Sequence, residues 1–157
     1  MKDEISAASD FLTRLVGRQN DHLTESQLSQ FRHQLDCVLH RKYANHWFPD
    51  KPSRGQAFRC IRVNENIRRD SILETVCQEM GLSFTDLVWP AELTLWIDPE
   101  EVTCRFGEHK GSYCIVAQFK DGNKENYVDQ INVDELEQRS AERSKQVRLL
   151  SSALDPL

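Results

Sequence analysis

Three strand-like segments follow one another between residues 92 and 119, and only a few residues separate each from the next. In the first, Leu93, Leu95 and Ile97 alternate with other residues, which is the period of a β-strand. The residues HKGS join the last two segments and predict a hairpin. This part of the chain therefore predicts a small, mainly antiparallel sheet. The segments are ELTLWID (92–98), EVTCRFGE (101–108) and YCIVAQF (113–119).

Two segments near the N-terminus have helical periodicity. In the first, ISAASDFLTRLV, apolar residues recur at helical spacing, and we expect Gly17 to end the helix. In the second, Thr24 is followed three residues later by Gln27, which is the capping-box pattern of a helix start. Because only the polar linker RQNDH separates the two segments, we expect a helical hairpin. The apolar stripe of the second helix comprises Leu28, Phe31, Leu35, Val38 and Leu39.

The region between the helices and the strands has mixed character. Residues 45–55 (NHWFPDKPSRG) contain two prolines and a glycine, which predict a loop, and we expect Trp47 and Phe48 to anchor it to the core. The segment RDSILETVCQEMGLSFTDLVWP predicts two short helices, the first capped by Asp70 or Ser71. Helices first, then strands around a further helical pair, indicate the α+β class.

Residues 56–64 (QAFRCIRVN) predict a further strand. Its arginines are part of a larger arginine cluster that could bind nucleic acid. In that interpretation the arginines would contact phosphates and Phe58 would stack on a base. The simpler interpretation is that alternating arginines solvate one strand face, and the net charge of −5 favours it. The predicted faces are Phe58, Cys60 and Arg62 on one side and Ala57, Arg59, Ile61 and Val63 on the other; the cluster is Arg54, Arg59, Arg62, Arg68 and Arg69.

The 157 residues suit one domain with a short appendage. All the periodic segments lie within residues 1–119, whereas residues 120–157 are polar and mixed in charge. We therefore expect a domain at 1–119 and a weakly helical or disordered tail at 120–157. The N-terminus has acidic residues where a signal peptide has a basic start, and no apolar run approaches the length of a membrane span.

The sequence does not predict a cofactor, a metal site or catalytic activity. The five cysteines are odd in number and have no metal-site spacing, which is typical of reduced thiols in the cytoplasm or nucleus. Phosphate-loop, GxSxG and HExxH motifs are absent from the sequence. A cysteine nucleophile paired with His46 stays open as an alternative, although nothing places an orienting group or an oxyanion donor beside it.

The sequence around Trp96 and Asp98 leaves open whether these two side chains face the core or the outer surface. Residues two apart on a strand point the same way, so Trp96 and Asp98 share a face. A tryptophan in a strand is usually a core residue, but burying Asp98 beside it would be costly. On an outer face, the pair would instead offer a partner an apolar anchor and an orienting charge.

Two longer stretches resemble a known family. YANHWFPDKPSRGQAFRCIRVN (Tyr43 to Asn64) and PAELTLWIDPEEVTCRFGE (Pro90 to Glu108) are similar to the two signature boxes of the BTG/Tob antiproliferative family. The matching elements are HWFPxKP, RCIR(I/V)N, ELTLW(V/I)DPxEV and R(I/F)GE, at the separation the family has. The resemblance covers about residues 1–119.

The resemblance implies a compact α+β domain without catalytic activity. It implies an adaptor that docks onto the Caf/Pop-type nuclease subunit of the CCR–NOT deadenylase complex, promotes mRNA deadenylation and restrains the cell cycle. The two boxes build the contact surface, and the matching positions are Phe58, Trp96 and Asp98. The family often has tyrosine where Phe58 stands.

Further expectations accompany this one. The alternative function is a transcriptional co-regulator or an RNA-binding module that uses residues 56–64. We expect a monomer in the cytoplasm and nucleus, with transcription factors as a further class of partner and without membrane binding or sequence-specific nucleic-acid binding.

Overall fold

A helical hairpin opens the fold in the computed structural model, which describes residues 1–64, 69–107, 113–120 and 123–125. Helix α1 spans Lys2–Gln19 and helix α2 spans Glu25–Tyr43. Thr24 accepts a hydrogen bond from the Gln27 backbone N–H, and the Gln27 side chain accepts one from the Thr24 N–H. The predicted capping box and the predicted hairpin are both confirmed.

Gly17 does not end the first helix, as the sequence had suggested. The helix continues to Gln19, and Gly17 lies against α2. A Cβ atom at this position would lie only 3.2 Å from Leu28 Cδ1. The glycine therefore allows the two helices to approach closely, which is a packing role.

Two further helical segments precede the strands. Helix α3 spans Ser71–Glu79, and Asp70 caps it by accepting hydrogen bonds from the N–H groups of Ile72 and Leu73. A 3₁₀ turn follows at Phe84–Asp86. This agrees with the two short helices predicted from the sequence.

Over the residues that the structure describes, the sheet has five antiparallel strands in the order β1-β2-β3-β4-β5. A positive φ of 68° at Glu100 shapes the tight turn between β2 and β3, and the Glu100 N–H donates to the buried carboxylate of Glu4 in α1. This bond fixes the hairpin to the helical layer. The strands are β1 Cys60–Val63, β2 Leu93–Asp98, β3 Glu101–Phe106, β4 Tyr113–Lys120 and β5 Asn123–Glu125.

The core lies between the helices and one face of this sheet. Leu95, Ile97 and Val102 are fully buried on that face, against α1, and α2 packs in turn on α1 and α3. The expected α+β class, with a helical hairpin and short helices on a mainly antiparallel sheet, is confirmed.

Two boundaries differ from expectation. The strand predicted at 56–64 begins only at Cys60, because residues 56–59 form turns in which the Phe58 and Arg59 N–H groups donate to the Gly55 carbonyl. The sheet also extends beyond residue 119, since β5 pairs with the end of β4. The HKGS connection and residues 126–157 of the predicted tail lie outside the described residues.

Candidate functional site

The face of the sheet that points away from the helices presents a mixed aromatic and polar surface, which we term the outer face. Strand alternation and register define it, because residues paired across antiparallel strands point to the same side. It comprises Cys60 and Arg62 of β1, Thr94, Trp96 and Asp98 of β2, Glu101, Thr103 and Arg105 of β3, and Tyr113 and Ile115 of β4.

Trp96 lies at the centre of the outer face. Its register partners are Cys60 on β1 and Thr103 on β3, so it has a strand on each side. The ring is half-buried, whereas Leu95 and Ile97 on either side of it are fully buried in the core. Trp96 thus points outward, as the pairing with Asp98 had suggested.

Neighbouring side chains extend the apolar surface around Trp96. Tyr113 lies with its ring centroid 5.6 Å from that of Trp96 and is 57% exposed. Ile115, the register partner of Thr103, is 39% exposed. The Arg105 guanidinium lies over the Trp96 ring at 5.4 Å, a cation–π geometry that holds the indole in place. Trp96 of β2 and Tyr113 and Ile115 of β4 therefore form one apolar surface that spans β3 between them.

Asp98 lies at the end of β2 and is engaged within the protein. One carboxylate oxygen accepts a hydrogen bond from Arg59 Nη2 at 2.9 Å, and the other accepts one from Gln56 Nε2 at 2.7 Å. Only 13% of its side chain is exposed. The carboxylate connects β2 to the loop before β1, so most of its charge is balanced internally.

Arg59 is fully buried, contrary to the prediction that it would solvate one face of a strand. Its Nε, Nη1 and Nη2 groups have five N–H donors, and the structure provides five acceptors at 2.6–3.0 Å. The guanidinium also lies 5.5 Å from the Trp47 ring. The five acceptors are the carbonyls of His46, Pro52, Arg54 and Ile97 and the carboxylate of Asp98.

The loop of residues 44–59 is thus wrapped around a buried cation. At Gly55, φ is +75°, and a Cβ atom there would lie 3.0 Å from Arg59 Nη1. The loop can curve this tightly because that residue has no side chain. Trp47 packs against the core, as expected, although it is only half-buried. Phe48 is also half-buried, and Arg54 lies over its ring at 4.2 Å. Arg59 adds an anchor that the sequence did not predict.

Phe58 lies in the turn that ends this loop, next to Arg59. Its side chain is 48% exposed and stacks on the His46 ring at a centroid distance of 3.8 Å. It lies two residues before Cys60, the register partner of Trp96. Phe58 is thus exposed and Trp96 half-buried on adjoining elements, while the Asp98 carboxylate is held by the loop that carries Phe58.

Sequence reasoning missed Tyr113, Ile115 and the role of Arg59. For the first two, the signal was the alternation along YCIVAQF: Tyr113, Ile115 and Ala117 are two residues apart and should point to the same side of the strand. Only the pairing with the neighbouring strand could show which side that is. The bulge between Val102 and Thr103 changes that alternation, so that Ala117 is buried while Ile115 is exposed. For Arg59, the signal was the proline-rich loop before it. Backbone carbonyls that become buried in such a loop need hydrogen-bond donors, and an arginine side chain can supply several.

Metal-ligating side chains do not converge in the part of the chain that the structure describes. Within residues 1–64, 69–107, 113–120 and 123–125, no cluster of three or more His, Cys, Asp or Glu side chains could hold a metal ion. Over the same ranges, no helix is long and apolar enough to span a membrane.

Several known proteins are similar to this chain. The family model described as "BTG family" matches residues 1–117. Protein BTG3 of Sus scrofa is 46% identical over 132 residues, which is 84% of this chain and 51% of that protein. Protein BTG4 of Homo sapiens is 46% identical over 120 residues, or 76% of this chain and 53% of that protein. The chain thus spans about half the length of these relatives.

A solved structure supports the fold independently. A doubly substituted form of the C. elegans FOG-3 BTG/Tob domain superposes on this chain with a TM-score of 0.63. The match covers 78% of this chain and 94% of that domain, at 19% sequence identity. At this identity the likeness concerns the fold.

Proposed function

The chain belongs to the BTG family of antiproliferative proteins, and from this premise we propose that its domain is an adaptor for the Caf/Pop-type nuclease subunit of the CCR–NOT deadenylase complex. By binding that subunit, the protein would promote mRNA deadenylation and decay and restrain the cell cycle. Membership of this family makes the domain non-enzymatic, as the sequence predicted. The proposed sites of action are the cytoplasm and the nucleus.

The observation that carries the proposal is the half-exposed Trp96 with Tyr113 and Ile115 beside it. Tryptophan and tyrosine dominate binding hot spots because they bury much apolar area and lose little rotamer entropy. Trp96 is held by Arg105 and by strands on both sides, so its rotamer is largely fixed before a partner arrives. Preorganisation of this kind lowers the entropic cost of association.

Phe58 and Asp98 have different roles in the proposed interface. Phe58 offers a second exposed ring from the loop that precedes β1. Asp98 is mostly covered and neutralised by Arg59, so we assign it mainly to positioning Gln56 and the turn that carries Phe58. A substitution of Asp98 would therefore act on the stability of the domain as well as on binding.

The RNA-binding alternative is not supported by the position of Arg59. That guanidinium donates all its hydrogen bonds within the protein, which leaves it unavailable for phosphate groups. Arg69 of the same cluster pairs with Glu74 at 3.2 Å. These contacts, together with the acidic net charge, favour protein binding over nucleic-acid binding.

The test is Trp96→Ala in a titration of the full chain against the purified nuclease subunit. We expect at least about a 30-fold loss of affinity, which corresponds to the ~2 kcal/mol of a hot spot. Val88→Ala is the matched control, because Val88 is 58% exposed and lies outside the outer face. Thermal melting of both variants shows whether the fold is retained. Unchanged affinity of a folded Trp96→Ala protein would refute the proposed surface.

A further inference from the structure

Two cysteines face each other across strands β3 and β4. Cys104 and Cys114 are register partners, so their side chains lie next to each other on the same side of the sheet. Residues directly opposite in an antiparallel pair have Cα atoms about 4.5–5.5 Å apart, within the range of about 4.4–6.8 Å that a disulfide requires. The two sulfur atoms can therefore bond without a change of register.

The two thiols have unlike environments. Cys104 is fully buried, whereas Cys114 is half-buried near the surface. The hydrogen bond from Cys104 lowers the pKa of Cys114 from 9.0 to about 7, against the opposing effect of burial. The same bond, together with burial, raises the pKa of Cys104. The two pKa values are thus shifted in opposite directions, which makes Cys114 the more acidic thiol of the pair.

This pairing distinguishes the two residues from the other cysteines. All five lie in the part of the chain that the structure describes, and there Cys104 and Cys114 are the one pair in register. Burial raises the pKa of Cys77 to about 11 and also raises that of Cys60. Since the thiolate is the reactive form, these two thiols should react slowly with oxidants.

We propose that Cys104 and Cys114 are a peroxide-sensitive dithiol that closes to a cross-strand disulfide. Cys114 is the residue that attacks the hydroperoxide, because it is the thiol of this pair with partial access to solvent. Cys104 is the resolving residue, since it lies directly opposite Cys114 on the neighbouring strand.

The chemistry balances in two steps. The Cys114 thiolate attacks one oxygen of hydrogen peroxide, the O–O bond breaks, and the leaving hydroxide takes up a proton to give water and a sulfenic acid. Cys104 Sγ then attacks the Cys114 sulfur, the S–O bond breaks, and the Cys104 proton leaves with the departing hydroxide as a second water. Two thiols are oxidised and one peroxide is reduced to two waters. A dithiol reductant reverses the bond by thiol–disulfide exchange.

The bond would lie directly behind the outer face. The flanking register pairs are Thr103 with Ile115 and Arg105 with Tyr113, so the disulfide would tie together the two strands that present Tyr113 and Ile115. The inference does not depend on the identity of the partner, because it concerns the state of the two sulfurs.

Peptide mapping of the full chain tests the proposal. The protein is exposed to hydrogen peroxide at neutral pH, alkylated and cleaved after glutamate, which places the two cysteines in separate peptides, 102–108 and 109–125. We expect loss of two alkylatable thiols and a linked pair of these peptides that dithiothreitol separates. Linkage between other cysteines, or overoxidation of Cys114 without a bond to Cys104, would overturn the proposal.

Two variants and one pH series sharpen the test. Cys114→Ser should abolish the two-thiol loss, and since the residue is half-buried, the fold should be retained. Cys37→Ser, at an exposed cysteine on α2, is the matched control and should leave the linkage intact. In the wild type, the rate of linkage should fall as the pH drops below about 7, because protonation removes the Cys114 thiolate. A loss of two alkylatable thiols that persists in Cys114→Ser, or a rate of linkage that does not change with pH across this range, would contradict the mechanism.

Discussion

At the scale of single residues, Arg59 shows how a buried charge can organise a loop. A buried guanidinium costs several kcal/mol of desolvation, which the fold offsets only if its donors are paired. Here five acceptors surround it, and Asp98 balances its charge. The loop before β1 carries Phe58, so the position of this exposed ring depends on an interaction that is itself hidden from solvent.

We predict that Arg59→Met lowers the free energy of unfolding by about 3–5 kcal/mol, because it leaves Asp98 and several carbonyls without their donor. Denaturant unfolding measures the change. Arg54→Met is the matched control, since Arg54 is exposed and contributes only its carbonyl oxygen to the Arg59 site; because its side chain also lies over Phe48, it should stay within about 1 kcal/mol of the wild type. Equal stability of the two variants would contradict the anchoring role of Arg59.

A second residue-scale prediction concerns Phe58. Because this ring is 48% exposed in the proposed interface, Phe58→Tyr adds a hydroxyl that can reach an acceptor on the nuclease subunit. One additional hydrogen bond contributes about 1 kcal/mol, so we expect a roughly five-fold gain in affinity. Calorimetric titration measures this gain. Tyr113→Phe is the comparison variant: it removes a tyrosine hydroxyl that already donates to Thr103 within the protein. A weaker complex with Phe58→Tyr would argue that the ring edge meets an apolar surface.

At the scale of elements, the start of α2 depends on local bonds alone. The side chains of Thr24 and Gln27 each satisfy a backbone N–H at the helix terminus. We predict that Thr24→Ala destabilises the domain by ~1 kcal/mol, seen as a lower melting temperature. Gln30→Ala, an exposed position inside the same helix, should be nearly neutral. If both variants melt at the wild-type temperature, the cap does not contribute to stability.

Features that depend on residues close together in the chain could be predicted from the sequence. The capping box, the Asp70 cap and the alternation of β2 each depend on residues a few positions apart, and all three are found. Features with a distant cause could not be predicted. Gly17 resembles a helix stop until Leu28 of the next helix is seen beside it, and Arg59 resembles a surface residue until the carbonyls of a folded loop surround it.

The candidate site follows the same division. The outward direction of Trp96 could be inferred because Asp98 has the same parity on the strand, whereas its contact with Tyr113 depends on register between separate strands. The internal pairing of Asp98 was missed for the related reason that Arg59 and Gln56 come from a loop well before it in the chain. The assignment of Phe58, Trp96 and Asp98 to a partner remains a prediction.

At the scale of the whole molecule, the last strand bears on where the domain ends. The boundary at residue 119 stays a prediction, and β5 at Asn123–Glu125, which pairs with the end of β4, suggests how to test it. We predict that a fragment of residues 1–125 melts close to the full chain, whereas a fragment of residues 1–119 melts several degrees lower because it loses these hydrogen bonds. Limited proteolysis of the full chain provides a second measurement. Equal melting of the two fragments would place the boundary at residue 119.

The buried arginine also has a consequence for which sequences this loop can tolerate. Four of the five acceptors around Arg59 are main-chain carbonyls, at residues 46, 52, 54 and 97, so the guanidinium recognises the path of the backbone and ignores the side chains along it. Arg59 itself therefore does not select the side chains at residues 46, 52 and 54, whereas Ile97 is also held by the core. A one-residue insertion or deletion between 46 and 58 moves the carbonyls themselves, and no change of side chain can restore them. The loop is therefore constrained in length far more tightly than in composition.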